Sequence, residues 1–261
     1  MNEFRIATIN TWKSEGEYHR RIELMGRQLR AADPDIILCQ EVFQTAQADT
    51  LKQLAFVAGM KMAYTPARNK MRHYEGKLTA STSGLGILSK YPIEVTTSVS
   101  LPSDPSDGER LAQYCILRVN DEPLLVINTH LTHLKSVKDL RISQIKTILE
   151  HPFLNQKYLG IFLCGDFNAC EEDEELRYLL NYKGLKVINC YKEGKGEAPG
   201  YTLSKSKSSV SKCIDFIFSI QNRFKTKPLS YHSTLILNTA DEYGIFPSDH
   251  YGVMVTCKFK E

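Results

Sequence analysis

In this chain the hydrophobic runs are short, and each breaks off into a polar side chain at a comparable point. Ile6-Ala-Thr-Ile is followed by Asn10, Ile36-Ile-Leu-Cys-Gln by Glu41, and Leu124-Leu-Val-Ile-Asn-Thr by His130. Ile161-Phe-Leu-Cys-Gly leads into Asp166 and Asn168, Asp215 interrupts Cys213-Ile-Asp-Phe-Ile-Phe, and Asp249-His250 precede Gly252-Val-Met-Val. A polar or ionised group beside a core is expensive unless it is partnered or bound to metal. Each position alone has an ordinary explanation. Asn10 and Gly165-Asp-Phe-Asn-Ala suit turns, Glu41 could simply leave the core, and a lone His130 is more often a satisfied core histidine. Six such positions together imply a shared purpose.

The intervening segments agree with a mixed α/β architecture. Strand-like runs are expected at residues 4–10, 35–40, 84–89, 111–119, 124–130, 158–165, 186–191, 213–219, 230–237 and 252–259. Helical periodicity covers 18–32, where Ile22, Met25 and Leu29 share a face, and also 50–58, 137–149 and 174–180. Asp33-Pro34 closes the first helix, because a proline disfavours the α conformation before it. Residues 68–83 and 192–212 are expected as loops. The second holds Ser204-Lys-Ser-Lys-Ser-Ser-Val-Ser211, either a solvated surface loop or a cationic flap over an anionic substrate. No internal repeat or linker divides the chain, so residues 1–261 are expected to form one domain.

Composition removes several function classes. No apolar run approaches the roughly 20 residues needed to cross a bilayer, and the N-terminus lacks a basic segment followed by a hydrophobic stretch. A cytoplasmic protein is expected, with a monomer favoured. The seven cysteines are scattered, odd in number and free of C-x-x-C spacing, which favours buried structural thiols over disulfides or a zinc site. A net charge of +3 does not by itself indicate a nucleic-acid partner.

The residue types suit one kind of chemistry. Mg²⁺ takes hard oxygen ligands, usually one or two carboxylates with water and substrate phosphate. Glu41, Asp249 and the Asn10 amide oxygen would supply such a sparse site, with Mn²⁺ a possible substitute. Histidines and a further aspartate remain for protons and negative charge. His130-Leu-Thr-His133 is not a recognised zinc spacing, and His133 reads as incidental.

Six segments in this order, Thr8-Ile-Asn-Thr-Trp12, Cys39-Gln-Glu-Val42, Asn128-Thr-His-Leu131, Gly165-Asp-Phe-Asn-Ala169, Ile214-Asp-Phe-Ile217 and Ser248-Asp-His250, resemble the endonuclease/exonuclease/phosphatase superfamily. Gly84-Leu-Gly-Ile-Leu-Ser-Lys-Tyr-Pro-Ile93 is similar to the family's strand between its second and third motifs. The resemblance implies a DNase I-like four-layer α/β (α+β) sandwich, two packed mixed β-sheets flanked by helices. It also implies Mg²⁺-dependent hydrolysis of a phosphate ester by in-line attack of water. Carried over by motif, Glu41 would be the principal metal ligand, with Asn10 and Asp249 nearby. Asp166 would orient or deprotonate the water, and Asn168 would hold the scissile phosphate. His250, positioned by Asp215, would stabilise or protonate it, and His130 would bond a phosphate oxygen. Arg110, one strand upstream of His130, is a candidate for substrate contact, and a plain surface arginine fits as well.

The substrate stays open between nucleic acid and a phospholipid or small phosphate ester. The superfamily includes DNase I-like and abasic-site nucleases, tyrosyl-DNA phosphodiesterases, deadenylases, inositol-phosphate phosphatases and neutral sphingomyelinases. Abasic-site nucleases usually carry Tyr where this chain has His130. The stretch from His130 to Gln144 is similar to the corresponding segment of sphingomyelinases and tyrosyl-DNA phosphodiesterases. A catalytically silent phosphate- or nucleic-acid-binding module is the alternative outside enzymes, although every residue the chemistry requires is present.

Overall fold

The computed structural model describes residues 3–194, 201–203, 211–224, 226 and 228–260. Two six-stranded mixed sheets stack face to face. The first has β1 (Glu3–Asn10), β2 (Ile36–Gln44), β3 (Lys61–Tyr74), β4 (Lys77–Ser89), β11 (Leu229–Ile236) and β12 (Gly252–Phe259), in the order β11-β12-β1-β2-β4-β3. The second has β5 (Ile93–Leu101), β6 (Arg110–Val119), β7 (Glu122–His130), β8 (Ile161–Asp166), β9 (Lys186–Asn189) and β10 (Asp215–Gln221), in the order β5-β6-β7-β8-β10-β9. Helices α1 (Tyr18–Ala32) and α2 (Thr50–Ala58) cover the outer face of the first sheet. Helices α3 (Lys138–Leu149) and α4 (Glu174–Leu180) cover that of the second. The four-layer sandwich implied by the motifs is the one observed.

The core explains the layering. Phe4, Ile6, Leu38, Val126, Phe162, Ile217 and Val255 meet between the sheets and are buried. The alternate side chains of the same strands point outward: Ala7, Ile9, Ile37 and Cys39 pack on Ile22, Met25 and Leu29 of α1. Strands buried on both faces therefore read as continuous apolar runs. α1 ends where Asp33 takes a left-handed conformation (φ 51°), with Pro34 next. Short α5 (Cys190–Glu193) follows β9, where the expected strand ran on to Tyr191. All seven cysteines are free, and five are buried. Among the described residues no helix is long and apolar enough to cross a membrane.

One expectation is overturned. Residues 68–83, expected as a loop, form most of a long hairpin in which β3 pairs with β4 from Lys61↔Ser89 to Tyr74↔Lys77. Glu75 (φ 50°) and Gly76 (φ 72°) make its two-residue turn, both in the left-handed region that such tight hairpins need. The segment is polar on both sides, so it lacks the alternation that marks a half-buried strand. β5, at residues 93–101, is a further strand beyond those expected, with Ile93, Val95, Val99 and Leu101 alternating with polar residues. Of the second expected loop, residues 195–200 and 204–210 lie outside the described residues, and with them the cationic stretch. Residues 201–203 are described and pack inward: Thr202 is buried.

Candidate active site

The topology brings the polar residues to one end. β1 runs parallel to β2, and β7 parallel to β8. Asn10, His130 and Asp166 are the last residues of β1, β7 and β8, and Glu41 lies late in β2. β10 and β12 run the other way against β8 and β1, so Asp215 opens β10 opposite Asp166, and His250 lies just before β12. His130 is paired in register with Asp166. The cluster straddles both sheets. Asn10 Nδ2 donates to Asp166 Oδ2 across the interface (3.1 Å), and His250 Nδ1 lies 2.8 Å from Asp215 Oδ2. Beneath it Gln40 Nε2 donates to Asn128 Oδ1 (2.8 Å), and Asn128 Nδ2 donates to the carbonyls of Cys39 and Gly86 (3.0 Å each). These buried amides fix one sheet on the other directly below the site.

Local backbone strain aims several of these groups. Glu41 sits at φ 54° where the β2–β4 register slips between Cys39 and Val42, so the bulge turns its carboxylate out of the core. Asn168 has φ 51°; its backbone N–H donates to Asp166 Oδ1 (2.9 Å) and its Nδ2 to the Leu131 carbonyl (3.0 Å). Gly165 has φ 149°, and a Cβ there would lie 2.0 Å from the Thr129 carbonyl oxygen, so only glycine fits.

Asp166 Oδ2 is the hub. Besides Asn10 it has His130 Nε2 at 3.4 Å and His250 Nε2 at 3.9 Å. Burial and the neighbouring Asp215 raise its carboxyl above the usual range, against the opposing pull of His250. Burial works against a charge on His250, but Asp215, Asp166 and Asp249 outweigh it and lift its pKa to about 10. Because Asp215 can only accept, the proton on His250 Nδ1 is fixed. Burial, together with Arg110 and Lys13, pushes His130 well below its ordinary value, so it is neutral where His250 is charged. Thr202 Oγ1 also donates to Asp215 Oδ2 (2.5 Å), while buried Asp215 Oδ1 has no hydrogen-bond partner among the described residues.

A second group of oxygens lies beside the hub. Lys13 Nζ donates to Glu41 Oε1 (2.7 Å), and Ser248 Oγ donates to the Asn10 carbonyl (2.6 Å) and lies 3.3 Å from Asp249 Oδ1. Burial raises the Asp249 carboxyl, and the charge on Glu41 adds to the effect. Two carboxylates that repel each other, and an ammonium already seated on one of them, fit a position for a cation. An all-oxygen set suits a hard divalent ion. Asp166, Asp215 and His250 also bring ligand atoms within 4.8 Å of one another. Their internal hydrogen bonds match a proton-handling group better than an ion cage.

Arg110 is buried rather than displayed. Its guanidinium grips Asp107 through Nε (2.8 Å) and NH2 (2.7 Å) and donates to the His130 carbonyl (3.3 Å), while lining the cleft beside Glu41 and His130. His133, which reads as incidental in the sequence, has Nδ1 2.7 Å from Asp107 Oδ1. Three contributors gave no sequence signal. Arg21, 1% exposed, donates to the carbonyls of Thr11, Trp12, Lys13, Glu15 and Pro247, tying the turn after β1 to the segment before Asp249. Lys13 and Thr202 are the others. An arginine in an amphipathic helix normally faces solvent, and nothing in the pattern marks this one as an anchor.

Two face-packed mixed sheets flanked by helices, with a cluster of Asp, Asn, Glu and His side chains at one end, define the DNase I-like class of folds. The model of the Endonuclease/Exonuclease/phosphatase family matches residues 7–250, and the chain belongs to that family, whose members are hydrolases acting on phosphoester bonds. Protein angel of Drosophila melanogaster is 24% identical over 267 residues, covering 90% of this chain and 71% of that protein. Among solved structures, a humanized D. rerio TDP2 superposes with a TM-score of 0.77 at 17% identity, covering 99% of this chain and 100% of that one. The endonuclease/exonuclease/phosphatase from Bacteroides vulgatus gives 0.76 at 15% identity, with 100% of each chain covered. At such identities the structural likeness is one of fold.

Proposed function

We propose that the chain, acting as one domain, is a Mg²⁺-dependent phosphodiesterase of nuclease type, with Mn²⁺ as a substitute. The observation that carries this reading is the convergence on Asp166 Oδ2 of Asn10, His130 and His250, with Asp215 behind His250. Asp166 is the base. Its basicity is raised, Asn168 and Asn10 fix its orientation, and it takes a proton from the attacking water. His250, held positive by Asp215, faces the phosphate and offsets charge that grows in the transition state. Neutral His130 and the Asn168 amide donate to phosphate oxygens. Glu41, Asn10 and Asp249 would hold the cation, which when bound neutralises charge on the phosphate and the leaving oxygen. Arg110 is a positioning group for the His130 turn, and its remaining reach into the cleft supports a substrate contact.

The test is a substrate panel in Mg²⁺ with purified protein, holding DNA, RNA, 5′-tyrosyl DNA, sphingomyelin, phosphoinositides and a chromogenic phosphodiester. Cleavage that depends on the metal and disappears in Glu41→Ala and Asp166→Asn supports the reading and chooses the substrate. Hydrolysis of phospholipid alone would move the chain to the lipid phosphoesterases. Binding of phosphate without turnover of any member would make it a silent binding module.

A further inference from the structure

Next to the acid-rich cluster the charge balance reverses. A cleft between the β3–β4 hairpin and residues 104–110 is lined by Lys13, Glu41, Arg68, Glu109, Arg110 and His130. Arg68 NH2 donates to Asp107 Oδ1 (2.9 Å) and its Nε to the Glu109 carbonyl (3.1 Å), so Arg68 and Arg110 share one carboxylate. Arg72, one turn of the hairpin ladder further out, is held by neutral groups: NH1 by Ser81 Oγ (2.9 Å) and NH2 by Ser83 Oγ (2.8 Å). Among the described residues no carboxylate oxygen lies within 4.0 Å of that guanidinium. Half burial lowers its pKa, the charge of Arg68 lowers it further, and only the more distant Glu41 and Glu15 act the other way among charged side chains, with Tyr64. Lys13, Arg68 and Arg110 line the cleft against Glu41 and an exposed Glu109, and Arg72 adjoins it through Ser83, which also lines it. An arginine oriented by serines, partly desolvated beside a second arginine, and with no carboxylate among the described residues in ion-pair contact is suited to take an anion.

We infer that this cleft is a subsite for a second phosphate, next to the scissile one, bound by Arg72 together with Arg68, so that the preferred substrate carries two phosphates in tandem. The inference rests on the hydrolase reading for which phosphate is cut, but not for whether the second is bound. The planar fork of a guanidinium matches phosphate oxygens two at a time. Ser81 and Ser83 hold Arg72 in place before substrate arrives, which reduces the ordering cost on binding. Such a pair of phosphates occurs in an oligonucleotide strand and in a small ester with a pendant phosphate; a sphingomyelin headgroup has only one.

Two measurements test it. The first compares kcat/KM for the p-nitrophenyl ester of thymidine 3′-phosphate with that for the same ester bearing an added 5′-phosphate, in wild type, Arg72→Gln, Arg72→Lys and Arg68→Gln/Arg72→Gln. The preference for the two-phosphate ester is expected to fall about tenfold in Arg72→Gln, mainly through KM, and further in the double variant. Arg72→Lys should restore part of it, because the charge returns without the fork. The second titrates pTpT and pT into the same proteins in EDTA by calorimetry, with no turnover required. Tighter binding of pTpT that is lost in Arg72→Gln supports the subsite even if no ester is cleaved, in which case the hydrolase reading alone fails. Equal preference, or equal pTpT affinity, in wild type and in a folded Arg72→Gln overturns the subsite and leaves the hydrolase reading standing. A longer oligonucleotide that gains nothing over pTpT assigns the site to small esters; one that gains assigns it to a strand.

Discussion

Asp166 and Asp107 are both buried aspartates, 2% and 1% exposed, yet their surroundings treat them in opposite ways. Asp107 has Arg110, Arg68 and His133 within 3 Å, and although burial opposes its charge, Arg110, Thr132 and Arg68 hold its carboxyl below the usual range. Asp166 is bonded by an amide and a backbone N–H, faces Asp215, and is pushed above that range. One carboxylate is oversupplied with cations and ties the β3–β4 hairpin, the start of β6 and the turn after β7 together. The other has no arginine or lysine bonded to it among the described residues, and its imidazole neighbours stand at 3.4 and 3.9 Å. A buried acid that is fully matched builds structure. One that is deliberately under-matched stays reactive, at some cost in stability.

The contrast is broken most directly at its reactive pole. Asp166→Asn should lower kcat about 10³-fold or more in a metal-saturated assay, at the level expected for loss of the base and its charge. It should leave the melting temperature at pH 8 no lower than wild type. The sign follows from the raised pKa: the ionised form is the disfavoured one in the folded state, so its removal relieves a cost once the pH is above the ordinary carboxylate range. A large fall in melting temperature would show that Asp166 is structural after all. His250→Ala should cost about 10²–10³-fold in kcat, the scale for one preorganised charge-stabilising group. Asp215→Asn should follow in the same direction with a smaller loss.

At the structural pole the readout exchanges. Asp107→Asn leaves Arg68 and Arg110 without their shared carboxylate, and breaking a buried pair in this way costs about 3 kcal/mol. For a chain of this size that is roughly a 6–12 °C drop in melting temperature, measured by circular dichroism at pH 7. The difference should shrink as the pH falls below about 4. A carboxyl with a depressed folded pKa contributes stability above its unfolded pKa and loses it as pH falls through the folded one. If Asp107→Asn melted like wild type but abolished turnover, the two aspartates would have to exchange roles.

The smallest effect is expected at the boundary between the two poles. Lys13 occupies Glu41 from a turn in which Trp12 (φ 58°) and Lys13 (φ 42°) are both left-handed and whose carbonyls Arg21 holds. Lys13→Met removes a cation that competes for Glu41 in the folded chain. Mn²⁺ binding, followed by calorimetry without substrate, should tighten several-fold. Weaker binding would mean that Lys13 helps to set the carboxylate instead.

Much of this was legible in the order of residues. Glu41, His130, Asp166 and Asp215 announce themselves because an acid or imidazole at the end of an Ile-Leu-Val run has no cheap structural reason to be there. The two-sheet sandwich followed from the motifs those residues belong to. The hairpin was not legible: Lys61–Tyr74 is an edge strand with polar residues on both sides, and its pairing comes from the Glu75-Gly76 turn and from β4, which β2 holds in the sheet, not from a buried stripe.

What the sequence indicated by itself was the set of polar side chains proposed for the chemistry and the sheet ends that carry them, since strand and turn signals are local. Only the tertiary structure decided which acids are matched and which are not. That is a property of distance across the fold. Arg68 reaches Asp107 over 39 positions of chain, Asn10 reaches Asp166 over 156, and Ser248 reaches Asn10 over 238. Charge compensation depends on which groups are brought within a few ångströms in a low-dielectric interior, and no local pattern encodes that.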